Sequence, residues 1–288
     1  MKTKFLFVAS LASFAFFMSC SSEETTESQA VSKTISTDDT LINSEIDASV
    51  DDVSTIVEDQ FTVQQYAALK TSAPVKSILP DCATVTTVAE TDSYTKTIDF
   101  GTVGCAMPNG NILKGKISIS FLKNTSLSSR TISYTLVNFY HNDKLIEGSK
   151  TITHELKSTD LLAVVHPVTT HLIDVKVTLS DGKIYTRTGT HVREMTEGFA
   201  TFGNWEDNVF LISGNHVTTF PTGAKFTNTI ITPLQVKAVC RKPIPVSGTV
   251  EINKNGGLAT LDYGNGNCDN LATITVDGVS KEIELKRK

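Results

Sequence analysis

Beyond residue 18 the chain has no apolar run of the roughly 20 residues that a bilayer-spanning helix needs. It has no excess of basic charge: the formal net charge is −5, so no nucleic-acid-binding stripe is implied and none is expected as a partner. Tryptophan occurs once and aromatics make up 7 % of the residues. With 40 % hydrophobic and 20 % charged residues, this is still the balance of an ordinary globular chain of one or two domains. No two cysteines stand at the two- to four-residue spacing of a zinc ligand pair. There is no Gly-x-Ser-x-Gly elbow, no His-Glu-x-x-His, no Gly-rich phosphate loop and no nucleotide fingerprint. The recognisable hydrolase, metallopeptidase and nucleotide-dependent signatures are therefore missing, and no cofactor or metal is expected.

What is present begins at the N-terminus. Lys2 and Lys4 precede a run of apolar or small residues from Phe5 to Met18, which is the layout of a signal peptide. Phe17-Met18-Ser19-Cys20 resembles a bacterial lipobox, in which the cysteine after the cut is acylated. The plainer alternative is a secretory signal cut elsewhere, with Cys20 incidental. Acyl chains on Cys20, each buried methylene contributing about 0.8 kcal/mol, would hold the protein to a membrane. The expected organisation is a signal peptide over 1–19, a lipidated cysteine with a disordered acidic tether over 20–40, a helical segment over 41–72 and a β domain over 73–288. Twenty residues of Ser-, Thr- and Glu-rich coil would reach about 25 Å.

Charge is unevenly placed. Residues 21–60 hold eleven Asp or Glu against Lys33 alone, whereas residues 61–288 sum to about +3. Inside the acidic stretch, Ile42, Ile46, Val50, Val53, Val57 and Phe61 recur at steps of four and three, the stripe of an amphipathic helix. Asp38 and Asp39 stand where a helix N-terminus favours negative charge.

Apart from Cys20, the cysteines are Cys82, Cys105, Cys240 and Cys268, an even number that in an exported chain reads as disulfides. Of the three pairings possible, the expected one joins sequence neighbours, Cys82–Cys105 and Cys240–Cys268, each closure contributing roughly 3 kcal/mol. Ile98-Asp99-Phe100-Gly101 precedes Cys105 at the offset by which Leu261-Asp262-Tyr263-Gly264 precedes Cys268. A strand ending in an aromatic residue and Gly, then stapled back, explains both copies, whether by duplication or by shared turn chemistry. Asp262 to Asp269 is rich in oxygen ligands but lacks the closing Glu and the register of an EF-hand, which favours an Asn/Gly turn over a calcium loop.

From about residue 80 the hydrophobic period becomes two. Ile117, Ile119 and Phe121 alternate with polar residues, as do Ile173, Val175, Val177 and Leu179. Asp181-Gly182 and Asp277-Gly278 sit between such runs as hairpin turns, and Asn142-Asp143 makes a third. About a dozen short strands with no helical period between them predict an all-β, antiparallel fold, either a sandwich or a long curved meander, preceded by one amphipathic helix.

The lipobox, acidic tether, acidic helix, Asp99-Phe100-Gly101 before Cys105 and Leu261-Asp-Tyr-Gly-Asn-Gly-Asn-Cys268 before a terminal hairpin together resemble the uncharacterised β-rich lipoproteins of Bacteroidota. That resemblance implies an address, the outer membrane, with Glu23-Glu24 similar to the signal for surface export. Asp39-Thr40-Leu41 similarly resembles that phylum's O-glycosylation sequon. The resemblance implies no activity.

Candidate chemistry is sparse. His154 alternates with Ile152 and Leu156 and reads as a core or edge histidine. His166 and His171 are five apart and project to opposite faces of an extended strand. His191 and Glu194 are close enough in sequence to form an acid–base pair, a common spacing that carries little information. The candidate ligand-binding segment is Asn204, Trp205, Glu206 and Asp207, where an indole face beside hydrogen-bonding groups suits a sugar ring; the plainer reading makes Trp205 a plug on the core. Three functions stay open: a surface binding or accessory module for a glycan or protein partner, a fimbrillin-like structural or adhesive subunit, and a hydrolase with an unrecognised site.

Overall fold

The computed structural model describes residues 34–68, 77–123, 128–201, 206–240 and 244–285. Cys20, the signal segment and most of the tether lie outside the described residues. Among the described residues no helix is long and apolar enough to cross a membrane.

One helix leads the fold, α1 (Thr37–Ala68). It starts at Thr37, five residues ahead of Ile42 and four ahead of the expected segment, because Ser36 and Asp39 form a capping box. The Asp39 N–H donates to Ser36 Oγ and the Ser36 N–H to the Asp39 carboxylate, both at 3.1 Å. Its acidic first turn also complements the helix dipole. Ile46, Val50, Val53, Ile56, Val57 and Phe61 are buried, so the predicted stripe is the packing face, with Ile56 added and Ile42 half-buried.

Fourteen strands follow: β1 (Thr84–Ala89), β2 (Ser93–Asp99), β3 (Cys105–Ala106), β4 (Ile112–Leu122), β5 (Ser129–His141), β6 (Lys144–Lys157), β7 (His166–Thr178), β8 (Ile184–Glu197), β9 (Val209–Thr219), β10 (Lys225–Lys237), β11 (Ser247–Lys254), β12 (Gly257–Asn265), β13 (Leu271–Val276) and β14 (Val279–Glu284). Every pairing is antiparallel, and apart from the short β3, which pairs β4 alone, the strands follow one another in chain order from the β1 edge to the β14 edge. The fold is thus a single meander sheet rather than a two-sheet sandwich.

The hairpins fall where local chemistry puts them. Asp277 (φ 49°) and Gly278 (φ 78°) both take the left-handed conformation that a two-residue turn requires. Asn255 (φ 51°) and Gly256 (φ 88°) do the same between β11 and β12, where the Asn-Gly pair has the same turn chemistry. Both predicted disulfides are formed, Cys82–Cys105 and Cys240–Cys268. The repeated motif has one physical cause. The Gly101 N–H donates to Asp99 Oδ1 at 2.9 Å and the Gly264 N–H to Asp262 Oδ1 at 2.8 Å, the same aspartate-closed turn at the end of a strand.

One face of the sheet packs on α1 and forms a single apolar cluster with it. Ile98, Ile117, Ile119, Ile132, Ile152 and Val177 are fully buried there.

Candidate functional site

The inward face of the sheet is not uniformly apolar. Strand alternation places Arg187, Gly189, His191, Arg193 and Met195 of β8 on the side of α1, with Thr169, His171 and Ile173 beside them on β7. Lys150 and His154 of β6 continue the same rows, Lys150 opposite Ile173 and His154 opposite Thr169. On the other flank His216 of β9 stands across from Gly189 and from Asn228 of β10. Gly189 is needed at this crossing, since a Cβ there would lie 2.4 Å from the Asn215 carbonyl oxygen and 2.6 Å from His216 Cα.

The acidic helix answers these cations and imidazoles. Arg187, 1 % exposed, gives one guanidinium nitrogen to Asp47, another to Asn43 Oδ1 at 2.8 Å, and Nε to Thr218 Oγ1 at 3.0 Å. Lys254 donates to Asp39 at 2.6 Å, and Arg193 pairs with Glu58. His141 shares a 2.9 Å hydrogen bond with Asp52, and Lys96 donates to the Gln60 carbonyl at 3.2 Å. Asp39, Asp47 and Glu58 of the acidic helix are therefore paired with Lys254, Arg187 and Arg193 of the sheet, across the helix–sheet interface.

Burial works against charge on the sheet side. Desolvation pushes His171 and His216 well below the ordinary imidazole value, and His154 and His191 below it as well. It also lowers Lys150, against the pull of Asp51 and Glu58. Lys150 Nζ donates to Ser54 Oγ at 2.6 Å, a contact that superficially suggests an activated hydroxyl. Ser54, however, donates its own proton to the Val50 carbonyl at 2.9 Å, so the lysine caps a helix hydroxyl rather than removing a proton from it.

Two clefts open between the C-terminal half of α1 and strands β5–β10. One, of about 460 Å³, is lined by Phe61, Gln65, Arg130, His154 and Met195; the other, of about 520 Å³, by Met107, Lys150, His171, His191 and Ile212. Glu58, Arg193 and Phe210 line both. Seven buried side-chain polar atoms among the described residues lack a hydrogen-bond partner, and four of them border these clefts. They are Glu58 Oε1, Gln65 Nε2, His154 Nε2 and His171 Nδ1. Buried polar groups normally have hydrogen-bond partners, so this gathering marks the region; Glu58 Oε1 has only the His171 Nε2, 3.8 Å away, facing it.

Comparison of the chain with protein-family models, with curated proteins and with solved structures finds no match.

The sequence-derived candidates sit elsewhere. Asn204 and Trp205 lie outside the described residues. Glu206 is exposed, and Asp207 accepts from Thr201 Oγ1 at 2.5 Å; neither lines the clefts. His191 and Glu194 do not pair, because residues three apart on a strand face opposite sides. His191 bonds His216 at 3.0 Å on the helix side. Glu194 bonds His166 at 2.9 Å on the outer side, where it also accepts from Thr159 Oγ1. His166 and His171 do project to opposite faces, as expected. His154 is only half-satisfied. Its Nδ1 meets Thr169 Oγ1 at 3.1 Å and its ring stacks on Phe61, while Nε2 has no partner. Asp262 to Asn265 form the end of β12, and beyond it Asp269 Oδ1 accepts from the Leu271 N–H at 3.0 Å; no group of three or more His, Cys, Asp or Glu side chains placed to hold a metal occurs among the described residues. The cleft residues His191 and Arg193 carried one sequence signal: with Arg187 they fall on one phase of a single strand, an unusual place for charge unless something acidic covers it.

Proposed function

We propose that this chain is an outer-membrane lipoprotein, anchored through Cys20, and that its β domain is a non-enzymatic binding module taking a small hydroxyl-rich ligand, a glycan, in the clefts beside Glu58 and Arg193. The observation that carries the reading is the convergence of Glu58 Oε1, Gln65 Nε2, His154 Nε2 and His171 Nδ1 on those clefts. They supply an acceptor, a donor and two imidazole nitrogens, which together match hydroxyls that both give and take hydrogen bonds. Phe61 and Phe210 offer apolar walls, and cleft volumes of several hundred Å³ suit small-molecule sites. Two of the lining carboxylates are already paired, Glu58 with Arg193 and Glu155 with Lys157, so neither needs a cationic ligand.

Glycan-array retention of the tether-free domain tests the site. Gln65→Ala should lose retention at an unchanged melting temperature, and His154→Ala should lose it together with some stability, since that ring also bonds Thr169 and stacks on Phe61. Wild-type retention by both variants, or no retention by the parent, would reject the assignment. Metabolic labelling with a clickable fatty acid tests the anchor: the parent should be tagged, and label kept by Cys20→Ala would reject lipidation there.

A further inference from the structure

The sheet has two free edges, and they differ in chemistry. At one end β14 carries Lys281, Glu282 and Glu284, the charges by which edge strands usually discourage pairing. At the other end β1 reads Thr84-Val85-Thr86-Thr87-Val88-Ala89, with no charge, no proline and no register break against β2. All six residues are exposed, with Val85 at 41 % and Val88 at 53 %. Strand-forming residues on an unguarded edge are a template for another strand.

The outward backbone groups can be assigned. The Glu90 N–H donates to the Ser93 carbonyl at 3.0 Å, closing the β1–β2 turn. Counting back along the unbroken register, Val88, Thr86 and Thr84 exchange hydrogen bonds with β2. Val85, Thr87 and Ala89 therefore present their N–H and C=O groups outward, and among the described residues nothing pairs with them. Unpaired backbone at a sheet edge is solvated, and a partner strand can satisfy it.

We infer that β1 is a homodimerisation edge, where two copies of this chain join antiparallel β1 strands into one continuous sheet. A twofold axis normal to the sheet keeps each face on its own side, so paired residues must be an even number of positions apart and the axis must pass through a residue. Placed at Thr87, it sets Thr87 against Thr87 and Val85 against Ala89 as hydrogen-bonded pairs, using all three outward residues. Thr86 then faces Val88 across the non-hydrogen-bonded positions. No like charges meet, so the edge is compatible with its own copy, as an isologous contact demands. The Cys82–Cys105 bridge pins the chain two residues before this strand. The contact is small, which places the dimer in the weak, concentration-dependent class.

Sedimentation velocity of the tether-free domain over a concentration series tests this, with Thr87→Pro and Thr87→Lys as variants. Proline at an outward-facing N–H leaves the β1–β2 ladder intact, and lysine sets two like charges on the axis. The parent should shift from monomer to dimer with concentration, while both variants stay monomeric with circular dichroism and melting temperature unchanged. A parent that is monomeric throughout, or variants that dimerise as the parent does, would overturn the inference. A Thr86→Pro control should lower the melting temperature by breaking the ladder itself.

Discussion

Arg187 shows what a single residue does in this interface. Its guanidinium is buried and its fork ties β8 to Asp47 and Asn43 of α1 and to Thr218 of β9. Desolvation works against its charge and Asp47 offsets it. Removing one partner of such a pair leaves polar groups stranded, whereas removing both costs less. Arg187→Ala should therefore lower the unfolding free energy by about 3–5 kcal/mol, and Arg187→Ala with Asp47→Ala by less than the two single losses combined. Urea denaturation checks this, and additive losses would show that the pair is not coupled. In the sequence, Arg187 was visible only as a charged residue in the apolar phase of a strand, because strand alternation reports which face a side chain takes and not what covers that face.

Among the elements, α1 is the one whose existence was legible and whose surroundings were not. The spacing from Ile46 to Phe61 identifies the helix, and the alternation around Ile117 and Ile173 identifies strands. Asp181-Gly182 and Asp277-Gly278 mark hairpins, since φ > 0 turns have few sequence solutions. The clefts, by contrast, lie between α1 and β5–β10, and contacts between residues such as Glu58 and Arg193, far apart in the chain, leave no local pattern. The same interface has a pH dependence of definite sign. His154, His171, His191 and His216 are held neutral by burial, with folded values below the unfolded value of about 6.5. Below that pH the unfolded chain binds protons that the folded one refuses, so stability is full above about pH 6.5 and falls as the pH drops toward the folded values. Each residue contributes up to about 1.4 kcal/mol per pH unit. The urea midpoint should fall between about pH 7 and about pH 5.5. A midpoint that stays level or rises over that range would contradict the burial of these rings.

At the scale of the molecule, the strand pairings are sequence-local while the helix contacts are long-range. Lys96 of β2 and Lys254 of β11 both reach α1, and neither helix contact is implied by any hairpin. Each disulfide lies within its own half of the meander, Cys82–Cys105 before β4 and Cys240–Cys268 after β10. The chain should therefore tolerate being divided. Cut at Asp181-Gly182, it yields one fragment with α1 and β1–β7 and another with β8–β14, each keeping its own staple. The seam retains the eleven-residue β7–β8 register and the grip of Arg187 and Arg193 on the helix. Co-expressed fragments should co-purify in equal amounts and melt cooperatively, while the β8–β14 fragment alone should lack a cooperative transition. The turn that sequence marks most plainly thus doubles as a site for fragment complementation, with the helix acting as the template on which the second half assembles.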